Sequence, residues 1–411
     1  MRRHCRWLAA GIILVLLGAT GGYLSRLQVR KADEGYEPPI GSSRHVLLAY
    51  NDLGMHCLQP DYAAFFIFPP ANNLRAQVFD RTTGKLINAG ITIDYVIQGN
   101  TSSADKVNFW WFSGSYGYWL PPNIGLRGLG LAGQMTLDGS GLLWRADAIP
   151  VVPYLDTPSP VEPYQLADLT LRDADTGTVL TSLKNVVLPV SDEMNCQLCH
   201  GSSDTWTKIL ASHDKRAGTA LNVNLKRGVR HRCNECHADP ALDAPGKPGL
   251  PQLSEAIHGS HASRMPMSKL DPSCYNCHPG TTTRCNRGAM AKAGRKCDSP
   301  GCHGSMTLVA ESIAAGRVPW RDEPKCSSPQ CHEARFAQNA GKAYKDSYLV
   351  NAPAPEMNGV ILCGTCHNGP HAEWPSTEAR DNLVPTEVQG DNEYIHKCPV
   401  CHPFGDGRVH S

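Results

Sequence analysis

Along residues 41–191 the apolar positions come in short runs that end in Gly-bearing turns. The run His45–Tyr50 (HVLLAY) is apolar after its first residue. Ile91–Ile97 (ITIDYVI) alternates β-branched or aromatic residues with polar ones, the period of a half-buried strand. The turns DRTTGK at Asp80–Lys85 and DADTG at Asp173–Gly177 carry the residues that favour tight reversals between strands. The pattern predicts an all-β domain over residues 41–191, with an immunoglobulin-like sandwich as its architecture. The Pro-rich stretch Pro150 to Pro163 reads as a rigid surface loop.

Before that domain, Met1 to Arg6 carries three Arg, and the next 18 residues, Trp7 to Leu24, are uncharged. Residues 1–30 are therefore expected to be a signal peptide or a membrane anchor spanning residues 7–24. On either reading the rest of the chain is exported, to the periplasmic face or beyond the cell. Cys5 precedes the apolar run and needs no role.

Composition changes the picture after residue 191. The chain has 411 residues, 38 Gly, 31 Pro and 17 Cys, and only Cys5 and Cys57 precede residue 195. The 39 basic and 38 acidic residues balance, which gives no basis for a nucleic-acid partner. Five segments read C-x-x-C-H: Cys196–Cys199–His200, Cys233–Cys236–His237, Cys274–Cys277–His278, Cys363–Cys366–His367 and Cys398–Cys401–His402. Each matches the signature of covalent c-type haem attachment, in which two thiols bond one haem edge and the adjacent His is the proximal iron ligand. Two further segments hold four residues between the Cys: Cys297–Cys302–His303 and Cys326–Cys331–His332, both with Ser-Pro inside the gap. A bulged turn of that composition still presents two thiols to one edge.

Zinc ribbons also use C-x-x-C, but nothing in a zinc site places His after every second Cys. With 17 His in 411 residues, seven such placements by chance are on the order of 10⁻¹⁰. Disulfides impose no adjacent His either. The motifs span Cys196 to His402, about 30 residues each. That is too little protein for an ordinary apolar core. A second domain over residues 192–411 is therefore expected in which seven haems are the core, stacked near one another and wrapped by short helices and loops. The fold class is mixed.

Distal ligands are sought among the remaining His. His258 and His261 stand in IHGSH, and His231 and His396 each sit two residues before a motif Cys. His213, His371, His56, His45 and His410 complete the stock of nine, enough to close seven irons with two His each. Met265, Met267, Met290 and Met306 compete, and a Met ligand would raise that haem's potential. In NDLGMHC, Asn51 to Cys57, either the loop is an ordinary turn or His56 reaches across to cap a haem of the second half. For Cys57 and Cys285, a disulfide, two free thiols and, last, thiolate ligation stay open.

With those residues in view, the chain resembles a family of exported bacterial multihaem cytochromes. The stretches that carry the likeness are NDLGMHC, NIGLRGLGLAGQM, AIPVVPYLD, PVSDEMNCQLCH, IHGSH, and TRCNRGAM followed by CHGSM, covering most of the chain from His45 to about Met306. The resemblance implies a β-domain ahead of a haem domain. It also implies electron transfer across the cell envelope or to extracellular acceptors, with other redox proteins or cytochromes as partners. Some extracellular relatives polymerise, so a homo-oligomer or filament is among the assemblies it implies. Two rivals stand beside an electron conduit. One is a multihaem oxidoreductase acting on nitrite, hydroxylamine or a sulfur compound, which needs an iron with an open position and often a C-x-x-C-K motif. No such motif occurs here. The other is a β-domain adhesin with storage haems. The conduit is the expected reading, and the chain is expected not to be an enzyme.

Overall fold

The computed structural model describes residues 43–156, 161–264, 273–324, 326, 328 and 361–402. The N-terminal apolar run, Cys331, His332, His410, Met265 and Met267 lie outside the described residues. Among the described residues no helix is long and apolar enough to cross a membrane. The chain is mixed, with substantial sheet and short helices.

The strands are β1 (His45–Tyr50), β2 (His56–Cys57), β3 (Phe65–Phe66), β4 (Asn72–Asp80), β5 (Ile91–Ile97), β6 (Ala132–Gln134), β7 (Thr136–Leu137), β8 (Trp144–Ile149), β9 (Tyr164–Asp173), β10 (Val179–Ser191) and β11 (His231–Arg232). They form a four-stranded sheet in the order β1-β4-β8-β7, a five-stranded sheet in the order β2-β10-β9-β5-β6, and the small pair β11-β3. Buried side chains from the two larger sheets share one core, among them Leu48, Leu74, Val78, Ile93, Leu169 and Leu188. In β5 the alternation is as expected: Ile91, Ile93, Tyr95 and Ile97 are buried. Both expected turns are present, closed by Asp80 N–H to Lys85 O and Asp173 N–H to Thr178 O, each 2.8–2.9 Å. Gly84 and Gly177 take the left-handed conformation there, which suits a residue without Cβ.

One sequence expectation changes. The stretch 150–163 is not wholly a surface loop, since Val151 and Val152 are fully buried in the core; residues 157–160 of it lie outside the described residues. In addition, β1 is buried on both faces from Val46 to Tyr50, which a sheet with one solvated face would not give. The second face is covered by residues 361–402. Trp374, Val384, Val388, Ile395 and Val400 belong to the same core as the sheets. Gly364 lies so close to Tyr50 that a Cβ there would meet the ring at 2.3 Å. Gln77, fully buried in β4, accepts from Leu362 N–H (3.1 Å) and Thr365 Oγ1 (2.6 Å).

The stretch between is different. Among the described residues from 196 to 324, the buried apolar side chains are Leu210, Leu253, Ala310 and Ile313. Helices Thr205–Ala217, Leu253–Ala262 and Met306–Ala314 hold these four, yet they cannot build a conventional core from them. The parallel pairing β2–β10 fixes the chain that leads into this stretch, and β11–β3 ties the stretch itself to strand β3. The first sets His56 and Cys57 beside Val190 and Ser191, just before the first motif; the second sets His231 and Arg232 beside Phe65 and Phe66.

Candidate haem-attachment site

Each C-x-x-C-H segment is a single tight turn. In four of them the motif His N–H closes on the carbonyl of the first Cys: His200 to Cys196 (3.0 Å), His237 to Cys233 (3.0 Å), His278 to Cys274 (2.9 Å) and His402 to Cys398 (2.9 Å). Cys363–His367 is a five-residue helical turn. The long-gap segment keeps this closure. His303 N–H reaches Cys297 O at 2.9 Å, and Cys302 N–H bonds Ser299 O at 2.9 Å, so the extra residues bulge without breaking the turn. Of the second long-gap segment, Cys326 and Ser328 are described.

Four motif His stand opposite another His. Ring centres are 6.4 Å apart for His200 and His261, 6.2 Å for His237 and His213, 6.1 Å for His278 and His258, and 6.1 Å for His303 and His371. Two imidazoles hydrogen-bonded directly would bring their centres to about 5 Å, with about 2.9 Å between nitrogens. Two on one metal, at about 2.0 Å per bond with about 1.1 Å from ring centre to nitrogen, would stand about 6.2 Å apart. The observed centre-to-centre spacings of 6.1–6.4 Å match the second figure. Among the described residues no three His, Cys, Asp or Glu side chains converge as a bare zinc ion would require. Paired imidazoles suit a cofactor that brings its own equatorial ligands.

Hydrogen bonds orient these rings. Nδ1 of His258 meets Ser254 O at 2.7 Å and that of His261 meets Ile257 O at 2.7 Å, each one turn back along the helix. Nδ1 of His237 meets Pro251 O at 2.9 Å, and that of His213 meets Thr219 Oγ1 at 2.9 Å. In these four the Nδ1 contact leaves Nε2 as the nitrogen that could take a metal, the arrangement by which metal-bound His is held in one tautomer. Desolvation by the groups crowded around it, helped by the charges of His258, His303 and His371, lowers His278, although the residue is exposed at the surface. Burial likewise lowers His200, His213, His258, His303 and His371. These imidazoles are neutral at pH 7, the form that binds metal.

Thiols of different motifs also meet. Those of Cys274 and Cys297 are hydrogen-bonded, as are those of Cys326 and Cys363. Cys277 lies within charge-interaction range of Cys196 and Cys199, and Cys366 of Cys401. The remaining motif cysteine of the second segment, Cys236, is close to Cys233.

Other expected ligands are placed differently. His231 is held by its strand with both ring nitrogens engaged, Nε2 by Asn224 (3.1 Å) and Nδ1 by Glu235 (3.2 Å). His56 is buried edge-on to Phe68, and its Nε2 lies 2.7 Å from Pro69 O, so that nitrogen is occupied. His45 is half-exposed at the start of β1. His396 has Nδ1 on Tyr394 O (2.8 Å) and its ring 5.5 Å from that of Tyr394. The Tyr394 ring also stacks on His367, 5.0 Å away and nearly parallel. Cys57 and Cys285 are both free thiols, and burial pushes each up. Met290 and Met306 lie in short helices.

Sequence reasoning missed the residues that hold the loops. Glu193 caps Gly280–Thr283, taking amide hydrogen bonds from Thr281 (2.6 Å), Thr282 (3.1 Å) and Thr283 (2.8 Å) and one from the Thr281 hydroxyl. Arg81 Nη1 holds Pro399 O inside the last motif at 2.7 Å. Their signal was absent, because Glu193 reads as an ordinary charge before a motif and Arg81 stands in a turn more than 100 residues from any motif. No family model matches the chain, and neither a curated protein nor a solved structure matches it.

Proposed function

We propose that this chain is an exported c-type cytochrome that carries seven covalent haems and conducts electrons in the cell envelope or to extracellular acceptors. The observation that carries this reading is the set of four opposed His pairs with a gap of one iron between their rings. When bound, haem c supplies an iron that cycles between two oxidation states one electron at a time. The chain does the rest. The motif cysteines would hold each haem, and the following His, brought round by its tight turn, would supply an iron ligand. Carbonyls on Nδ1 make the ligating imidazoles more electron-rich, which favours the oxidised iron and a low potential. Meeting thiols from different motifs would set haem edges side by side in two rows, motifs 1-3-4 and 5-6-7. An immunoglobulin-like grouping of the sheets and a haem-filled second half are the finer architecture of this proposal. Export would leave residues 7–24 as a cleaved signal or an anchor, with other redox proteins as partners.

One observation favours a second reading, an oxidoreductase with an open iron. His367 faces the ring of Tyr394 at 5.0 Å, too near for an iron between them.

The test is the intact mass of the purified, denatured holoprotein. The reading expects the chain mass plus seven haems. Five would remove the two long-gap segments, and none would overturn the proposal.

A further inference from the structure

His371 has a backbone unlike the other paired His. Its φ is +67°, the left-handed region that a side chain bearing a Cβ rarely occupies. Such a conformation persists where its surroundings over-determine it. Here they do. The His371 carbonyl accepts two amide hydrogen bonds, from Arg287 and Gly288, each 2.7 Å, and its own N–H donates to Glu373 Oε1 at 2.7 Å. Gly288 has no Cβ to spare, because one would lie 2.3 Å from the Glu373 nitrogen. Gly54 of the NDLGMHC loop packs on the ring, with 3.6 Å from an added Cβ to Nδ1, and Cys285 Sγ is 3.9 Å from the same nitrogen.

What fixes the donors is Arg287, the largest fully buried side chain. Its guanidinium grips Asp381 with two bonds, 2.6 and 2.9 Å, and bonds Arg284 O and Cys285 O at 3.2 and 3.1 Å. Tyr164 lies under its plane at 5.0 Å. Ser376 bridges Asp381 (2.6 Å) and Arg287 O (3.1 Å), and Trp374 Nε1 bonds Asp381 O at 2.6 Å. A dry ion pair is a costly way to fill a core, and apolar residues would fill it as well. A bidentate fork does fix direction, which apolar packing does not.

We propose that Arg287 and Asp381 are a positioning pair: they lock segment 284–288 so that its two amides hold His371 opposite His303, preset as the second axial ligand there. The inference rests on the haem reading above and gives the NDLGMHC loop a task other than ligation by His56. Gly54 of that loop backs the His371 ring. Its neighbour Asn51 presses so near Gly369 that a Cβ there would meet Asn51 O at 1.7 Å.

The test uses the full-length holoprotein with Arg287→Lys, which keeps charge and loses the fork, and Asp381→Asn, which keeps shape and loses charge. Covalent haem is counted by mass, the ferric spin state by electron paramagnetic resonance, and open iron by carbon monoxide uptake of the reduced protein. The expected result is an unchanged haem count, one high-spin ferric iron per chain and one new equivalent of carbon monoxide bound. His371→Ala should give the same signature, and adding Arg287→Lys to it should change nothing further. Wild-type spin state and gas binding in Arg287→Lys, with only a lower melting temperature, would reduce the pair to structure and overturn the proposal. So would loss of haem from every variant, including the mild Ser376→Ala, from which a partial high-spin signal is expected. A wild type without covalent haem would instead sink the functional reading and be seen before any variant is made.

Discussion

On the haem reading, a His whose Nδ1 is hydrogen-bonded offers Nε2 to iron, so what each ring nitrogen bonds to is used to separate ligands from bystanders. His258 and His261 give Nδ1 to carbonyls one helical turn back, a bond that the i, i−4 geometry of Leu253–Ala262 supplies. His231 has both nitrogens taken, and His56 has lost Nε2 to Pro69. The expected outcome is a split among alanine variants. His258→Ala and His261→Ala should each open one iron, read as one equivalent of carbon monoxide bound by the reduced protein. His56→Ala and His231→Ala should bind none. Gas binding by His231→Ala equal to that of His258→Ala would refute the assignment from Nδ1 bonding. The C-x-x-C-H segments were visible in sequence as a spacing, and His258, His261, His213 and His371, the four that stand beside motif His, were among the nine candidates the sequence offered. Which of the nine would face a motif His was not legible. His231 and His396 occupy the same position before a motif, and only the fold shows Asn224 and Glu235 on the first.

At the scale of elements, the turns and helices set the angle between paired rings. His200 and His261 are inclined at 75° and His213 and His237 at 82°, whereas His258 and His278 are within 16° of parallel. Crossed imidazoles leave the iron orbitals that face them nearly equal in energy and parallel ones split them, so the two classes give different low-spin ferric spectra. Crossed pairs are expected to contribute signals with a large leading g value, and the parallel pair a rhombic one. His213→Ala should therefore remove a large-g component and His258→Ala a rhombic component. The opposite assignment would show that the ring angles differ from those described.

The latch at Glu193 belongs to the same scale, joining the chain before the first motif to the loop after the third. Burial opposes its charge, but the Thr281 hydroxyl and the amides of Thr283, Thr281 and Thr282 outweigh it and hold the carboxyl down to about 2. Its folded value lies below its unfolded one, so the stability it adds is present above the ordinary carboxylate range. That stability is lost as pH falls from about 4.5 toward 2. Melting temperature should thus fall more steeply over that window in wild type than in Glu193→Gln, which should also start lower at pH 6. Parallel curves would remove the latch. None of this showed in the sequence, where PVSDEMN reads as an ordinary polar entry to a motif.

For the whole molecule, hydrophobic pattern revealed the sheets but not what lies on them. ITIDYVI gave its strand and its buried face, because a period of two survives in one dimension. HVLLAY hid its second face, which is covered by residues more than 300 positions away, Val388 and Val400 among them. The change in cysteine use near residue 192 was legible, but it does not coincide with a separation into compact units, and the return of residues 361–402 into the β core was not legible. Gly364 against Tyr50 and Gln77 against Thr365 show how that return is fixed, by contacts that carry no sequence period. Between them, the described residues of 196–324 have four buried Leu, Ile or Ala side chains and three His pairs, with His303 paired to His371 beyond the stretch, a balance that a chain built around haems would show.

The central claim is that these irons are closed on both sides and serve conduction. It is tested most directly by the electron paramagnetic resonance spectrum of the fully oxidised wild-type holoprotein, integrated against its haem content. Paired His predict low-spin ferric signals alone, from crossed and parallel ligand planes. A high-spin ferric signal at one equivalent per chain would contradict the conduit and favour the oxidoreductase, with His367 beside Tyr394 as the first place to look.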